Sequence, residues 1–197
     1  MTLDELREVV PFPKWRDVLK FGQDRPAWAG ESHLRRFAGF HGDELTDDEF
    51  VWFKERGFIP VIGVGELGRH AIVVPIVYVS SDHCFHTTPT ERAERIMTGD
   101  VGLLPGRIAG HSTTRHPGSA RLLHVSITEQ DAKAWATRPD LLNRTGEWGE
   151  WTILRIDLAA AGLRLFRDPQ SATGYIVDAE RVPSKFLRVH SRLTIEE

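Results

Sequence analysis

Thiols are almost missing from this sequence. Cys84 is the single cysteine in 197 residues, so no disulfide can close within the chain and a zinc site built on several thiolates is excluded. Long apolar runs are missing too. Nothing approaches the roughly 20 consecutive apolar residues of a membrane-spanning helix, and Met1 to Val10 lacks the basic start and apolar stretch of a signal peptide. The expectation is a cytoplasmic protein in a reducing compartment, with no membrane partner. Neither sign of charge dominates: 25 Lys and Arg stand against 28 Asp and Glu, a formal charge of -3. That excludes a surface coated in basic charge for non-specific nucleic-acid binding and leaves room for a local basic cleft. There is no P-loop and no Gly-x-Ser-x-Gly nucleophile elbow. Gly63-Val64-Gly65-Glu66-Leu67-Gly68 fits the spelling GxGxxG, but Arg69, His70 and a β-rich run follow it in place of a helix, so it reads as a hairpin turn.

The composition, 41% hydrophobic and 27% charged, is that of an ordinary globular protein. Residues 1–57 read as a helical N-terminal extension or lobe. Trp15 to Phe21 and His33 to Phe40 carry apolar residues at helical spacing, broken between them by Pro26 and Gly30. Thr46-Asp47-Asp48-Glu49 is a capping box, and its helix is expected to run to Arg56 and stop at Gly57. From Phe58 the period changes to that of strands. Phe58 to Val64, Ala71 to Val79, Cys84 to Thr87, Leu122 to Ile127, Trp151 to Leu158, Leu163 to Phe166, Tyr175 to Val177 and Phe186 to Val189 are short and rich in β-branched residues. Two helices interrupt them. One starts with Thr88 as N-cap, Pro89 in the first turn and Glu91 three residues on, and ends near Thr98-Gly99. The other is capped by Thr128-Glu129-Gln130-Asp131 and runs through Trp135 to Thr137. Many short strands, few short helices and no regular β-α-β alternation indicate an α+β domain over residues 58–197.

The order of these pieces carries a resemblance. A strand with His86-Thr87-Thr88, a capped helix, Gly102-Leu103-Leu104-Pro105, a strand running into Ser126, the Leu154-Arg155-Ile156-Asp157-Leu158 strand, and Val182-Pro183 before Phe186-Leu187 resemble the ADP-ribosyltransferase fold. Within that fold the likeness is to the catalytic lobe of the tRNA 2′-phosphotransferases, and it covers about residues 83–190. The resemblance implies a split core of two small mixed or antiparallel sheets with NAD between them. It also implies NAD-dependent transfer of ADP-ribose to RNA, DNA or another phosphate-bearing acceptor. By position, His86 would orient NAD with Thr87 and Thr88 beside it. Arg121, in Arg121-Leu122-Leu123-His124-Val125-Ser126, and Arg144, in Arg144-Thr145-Gly146, would face phosphate, and Ser126 would contact the cofactor. Arg115 lies in the polar loop Gly110 to His116, the kind of loop that carries binding residues. Where protein-modifying enzymes of this fold have a catalytic glutamate, the matching positions are Thr173, Gly174 and Tyr175. A phosphate acceptor is already ionised, so the pattern favours it over a protein side chain.

The residues also admit plainer roles. His86 can be a strand-end histidine satisfied by backbone, Thr88 a simple cap, and Trp148 and Trp151 core. Arg121 and His124 lie three apart on a strand and so point to opposite faces unless a bulge intervenes; only one of them then faces the cleft, and Arg121, at the strand entrance, is the choice. Two rivals come from other classes. One is a degenerate domain of the same fold that binds a nucleotide or partner without catalysis. The other is a cupin-like metal site built from His83, His86, His111, His116 and His124, against which the spacing argues, since His83 and His86 face opposite sides of a strand.

Overall fold

The computed structural model describes residues 17–18, 35–38, 51, 54–65, 68–105, 122–138, 148–168, 171 and 173–196; at 17–18, 35–38, 58, 60–65 and 68–75 only the backbone is described. Contacts divide the chain into two units, the first Met1–Val77 with His116–Ser119 and Pro169–Ala172, the second Tyr78–Arg115, Ala120–Asp168 and Thr173–Glu197.

In the first unit β1 (Asp17–Val18), β2 (Arg35–Ala38), β3 (Phe58–Gly65) and β4 (Gly68–Pro75) form an antiparallel sheet in the order β1-β2-β4-β3. Two stretches expected to be helical therefore contain strands. Asp17 and Val18 pair with Ala38 and Phe37, and β2 pairs in turn with Val73 to Ala71 of β4; cross-strand partners outweigh a weak helical period in short segments. The hairpin reading of the GxGxxG stretch holds, because β3 and β4 run back on each other in register down to Gly65 opposite Gly68. Val51, Lys54 and Glu55 are helical and Gly57 ends that turn with φ +81°, accepting no penalty because it has no Cβ. The unit boundary falls at Val77/Tyr78, so β3 and β4 group with what precedes them.

The second unit comprises β5 (Tyr78–Val79), β6 (His83–Pro89), α1 (Thr90–Thr98), β7 (Leu123–Ser126), α2 (Glu129–Ala136), β8 (Gly149–Asp157), α3 (Leu158–Ala161), β9 (Leu165–Arg167), β10 (Gly174–Val177), a 3-10 turn (Ser184–Phe186) and β11 (Leu187–Ile195). Its strands make one antiparallel sheet of seven, ordered β11-β8-β6-β7-β10-β9-β5. The architecture is α+β. The two sheets anticipated for a single split core are instead one sheet in each unit.

Alternation of side chains fills both faces of the large sheet. On one face Cys84, Leu123, Val125, Ile156, Tyr175 and Val177 form a buried cluster, against which Ile96 and Met97 of α1 pack. Burial pushes the Cys84 thiol up to about 12, so this cysteine is an inert core residue. On the other face Ala132 of α2 packs on Phe85 and Ile153, and Ala136 packs on Trp151 and Ile195. The α2 start is as its sequence indicates, with the Thr128 hydroxyl accepting from the Asp131 N–H at 3.0 Å. The α1 start is not. Thr88 is no cap: it remains in the β6 ladder opposite Thr152, the ladder continues to Pro89 opposite Trp151, and the helix begins at Thr90 with no side-chain cap. Gly102 has φ +76° and would put a Cβ 2.2 Å from the Val182 carbonyl, so only glycine lets Leu103 and Val182 exchange their two 2.8 Å backbone bonds. No helix among the described residues is long and apolar enough to cross a membrane.

Candidate functional site

The unusual place in the large sheet is the join between β6 and β7. β6 pairs with β8 at seven successive positions but with β7 at one, Phe85 opposite Ser126. Continuing that register would set Thr87 against His124. Instead the strands part, and the His86 ring reaches into the gap: its Nδ1–H donates to the His124 carbonyl at 3.2 Å. A carbonyl only accepts, so this bond fixes the tautomer and leaves Nε2 with its lone pair. Burial drives the imidazole pKa down to about 4 against the favourable pull of that carbonyl, and the nearby Arg92 guanidinium and His124 ring lower it further. At neutral pH His86 is an uncharged ring whose remaining polar atom is an acceptor.

The next strand contributes a second pair. His124 Nδ1 lies 2.8 Å from Asp168 Oδ2, and Asp168 is only 6% exposed. The carboxylate gets there through sheet register: Tyr175 opposite Arg167 sets the following residue across from Gly174, and the Asp168 N–H donates to the Gly174 carbonyl at 3.1 Å. A carboxylate on Nδ1 orients an imidazole and stabilises its protonated form, which makes Nε2 the nitrogen suited to taking a proton.

Around these two histidines the hydroxyls divide in role. Thr87 is spent on structure, its Oγ1 donating to the Ala132 carbonyl of α2 at 2.9 Å. Thr88, on the same face of β6 as His86, is 2% exposed and its Oγ1 has no hydrogen-bond partner. An unpaired buried hydroxyl costs about 1–3 kcal/mol, so a position that keeps one invites a ligand atom. Ser126 is half-buried two residues beyond His124 on the same strand face. Arg92 is half-buried on the first full turn of α1.

Of the residues expected at the site, His86 and Thr88 share one face of β6 while Thr87 turns to the other, towards α2; Ser126, registered against Phe85, lies with His124 on that second face. Arg115, Arg121 and Arg144, and the histidines at 111 and 116, fall outside the described residues. Two contributors were not expected. The sequence favours Arg121, at the strand entrance, over His124, and Asp168 carries no motif; its one hint is a carboxylate closing an apolar strand just before Pro169. Among the described residues no three His, Cys, Asp or Glu side chains converge as metal ligands. No protein-family model matches the chain, and no curated protein matches it in sequence.

Proposed function

We propose that the second unit is an ADP-ribosyltransferase-like domain that consumes NAD and delivers its ADP-ribosyl group to a nucleic-acid or other phosphate-bearing acceptor. The observation that carries this reading is the gap beside β6, entered by an uncharged histidine, with a buried unpartnered threonine hydroxyl two residues along the same strand face and an arginine close enough to lower the histidine's pKa. NAD fits such a donor set. The Thr88 hydroxyl and His86 Nε2 suit ribose hydroxyls or the nicotinamide amide, and the Arg92 guanidinium suits a phosphate oxygen.

Breaking the nicotinamide–ribose bond develops positive charge on the ribose, which a nearby carboxylate stabilises. The closing strand has Thr173 and Gly174 where related enzymes have glutamate, and Asp168 is bonded to the backbone of that same Gly174. We assign that carboxylate to Asp168, which follows the neighbouring strand β9. His124, backed by Asp168, is the group suited to take a proton from an acceptor hydroxyl; a phosphate acceptor needs none taken.

A second reading has its own support. The His86 Nδ1–H is committed to a strand carbonyl, as in a domain that keeps a nucleotide cleft for binding alone. Nicotinamide release from NAD by the purified protein, alone and with total RNA or DNA, separates the two. Release that depends on the acceptor and falls in His86→Ala supports catalysis. A thermal shift with NAD and no release supports the binding domain. Neither release nor shift overturns both.

A further inference from the structure

On the α2 side of the large sheet, β8 and β11 set Arg155 directly opposite Arg188. Both are exposed, and among the described residues neither makes an ion pair or hydrogen bond. Like charges directly opposed across two strands destabilise a sheet, and this chain has more acidic than basic residues with which to avoid it. The same row continues to Phe85, which is registered against Arg155 on its other side. Two imidazoles flank that ring: His83 at 5.4 Å and His190 at 4.9 Å between centroids. His190 reaches this position through the bulge between Val189 and Ser191.

Two acids of this face, among the described residues, are engaged elsewhere. Asp157, opposite His83, uses Oδ1 to accept the Ala160 N–H at 3.0 Å. Glu129 is shared by Lys133 at 2.7 Å, His190 at 3.1 Å and Ser191 at 3.1 Å. Two arginines therefore face each other in register on adjacent strands, and among the described residues no carboxylate pairs with either.

We propose that this face, formed by Arg155, Arg188, His83 and His190, is a docking surface for the phosphodiester backbone of a nucleic-acid strand. Arginine offers a planar fork of donors that matches phosphate oxygens, and two on adjacent strands grip neighbouring phosphates of one chain. A diffuse lipid surface is the poorer match, since attraction to anionic membranes draws on clusters of about 4–8 basic residues. The surface rests on the acceptor class named under Proposed function. Its test does not involve NAD.

The experiment is fluorescence anisotropy of a labelled single-stranded oligonucleotide titrated with the full chain over a range of salt. Wild type binds with an affinity that falls as salt rises. Arg155→Gln with Arg188→Gln weakens binding about tenfold or more at low salt and flattens the log–log salt slope by about 1.4, the value for two lost phosphate contacts on a single strand. Arg188→Gln alone, on an edge strand where folding is least at risk, gives about half that change in slope. Arg181→Glu, an exposed arginine after β10, changes affinity less than twofold. No binding by wild type overturns the proposal, as does equal weakening by Arg181→Glu. Inorganic phosphate that displaces the strand at matched phosphate concentration overturns the strand as occupant. Anionic vesicles that bind as tightly, through the same arginines, reassign the surface to membrane. If the oligonucleotide binds through Arg155 and Arg188 but nicotinamide is never released, the surface stands and the transferase reading falls; release with arginine-independent binding gives the converse.

Discussion

The tautomer and charge of His86 can be tested through stability alone. Its pKa falls from 6.5 to about 4 on folding, chiefly because the ring is withdrawn from water. A base with a lowered pKa holds its proton more tightly in the unfolded chain, so protonation favours unfolding. The folded state is undisturbed above pH 6.5, is progressively penalised below it, and bears the whole penalty below about pH 4. At about 1.36 kcal/mol per pH unit the full effect is about 3 kcal/mol, and the half-buried position of the ring trims it to about 2 kcal/mol. His86→Asn keeps a side-chain N–H for the His124 carbonyl and cannot titrate. Urea unfolding at about pH 7.5 and about pH 4.5 should therefore show wild type losing about 1.5 kcal/mol more than His86→Asn over that interval. Carboxylates that titrate in the same range are common to both proteins and cancel. A gap between wild type and variant that does not change with pH would refute the buried neutral ring, and with it the assignment of Nε2 as an acceptor.

Three further substitutions probe the neighbourhood. Thr88→Val removes a buried hydroxyl that has no partner, so urea unfolding should show unchanged or higher stability, by up to about 1 kcal/mol, while the thermal shift produced by NAD shrinks; a loss of stability would mean the hydroxyl is already satisfied. Asp168→Asn replaces the carboxylate on His124 and should cost about 1.5–3 kcal/mol, the range for a hydrogen bond to a charged group, with no measurable loss counting against the pair. Gly102→Ala combines a positive φ with a Cβ 2.2 Å from the Val182 carbonyl, so thermal unfolding should register a loss of about 2–4 kcal/mol; a variant as stable as wild type would show that the Leu103–Val182 bridge has slack.

How much of this was legible in the sequence follows from the range of the interactions. Strand β6, the α2 cap at Thr128 and the β3–β4 hairpin are set by residues within a few positions of one another, and local pattern found them. Thr88 misled because cap spelling and strand membership compete for one residue, and seven ladder partners on β8 decided it. The His124–Asp168 pair depends on residues 44 apart meeting through the register of β7, β10 and β9, which no spacing rule reports. His86 was legible as a strand histidine, but its neutrality was not, because the cause is the parting of two strands that pair at only one point.

The account stands or falls on the fate of NAD. NAD labelled in its adenylate portion, incubated with wild type and total RNA or DNA, should give up its label, either to the nucleic acid or to a small phosphorylated ADP-ribose, and Asp168→Asn should slow that release more than it lowers NAD affinity. Label that remains in intact NAD at every acceptor concentration, from protein shown to be folded, would contradict the account.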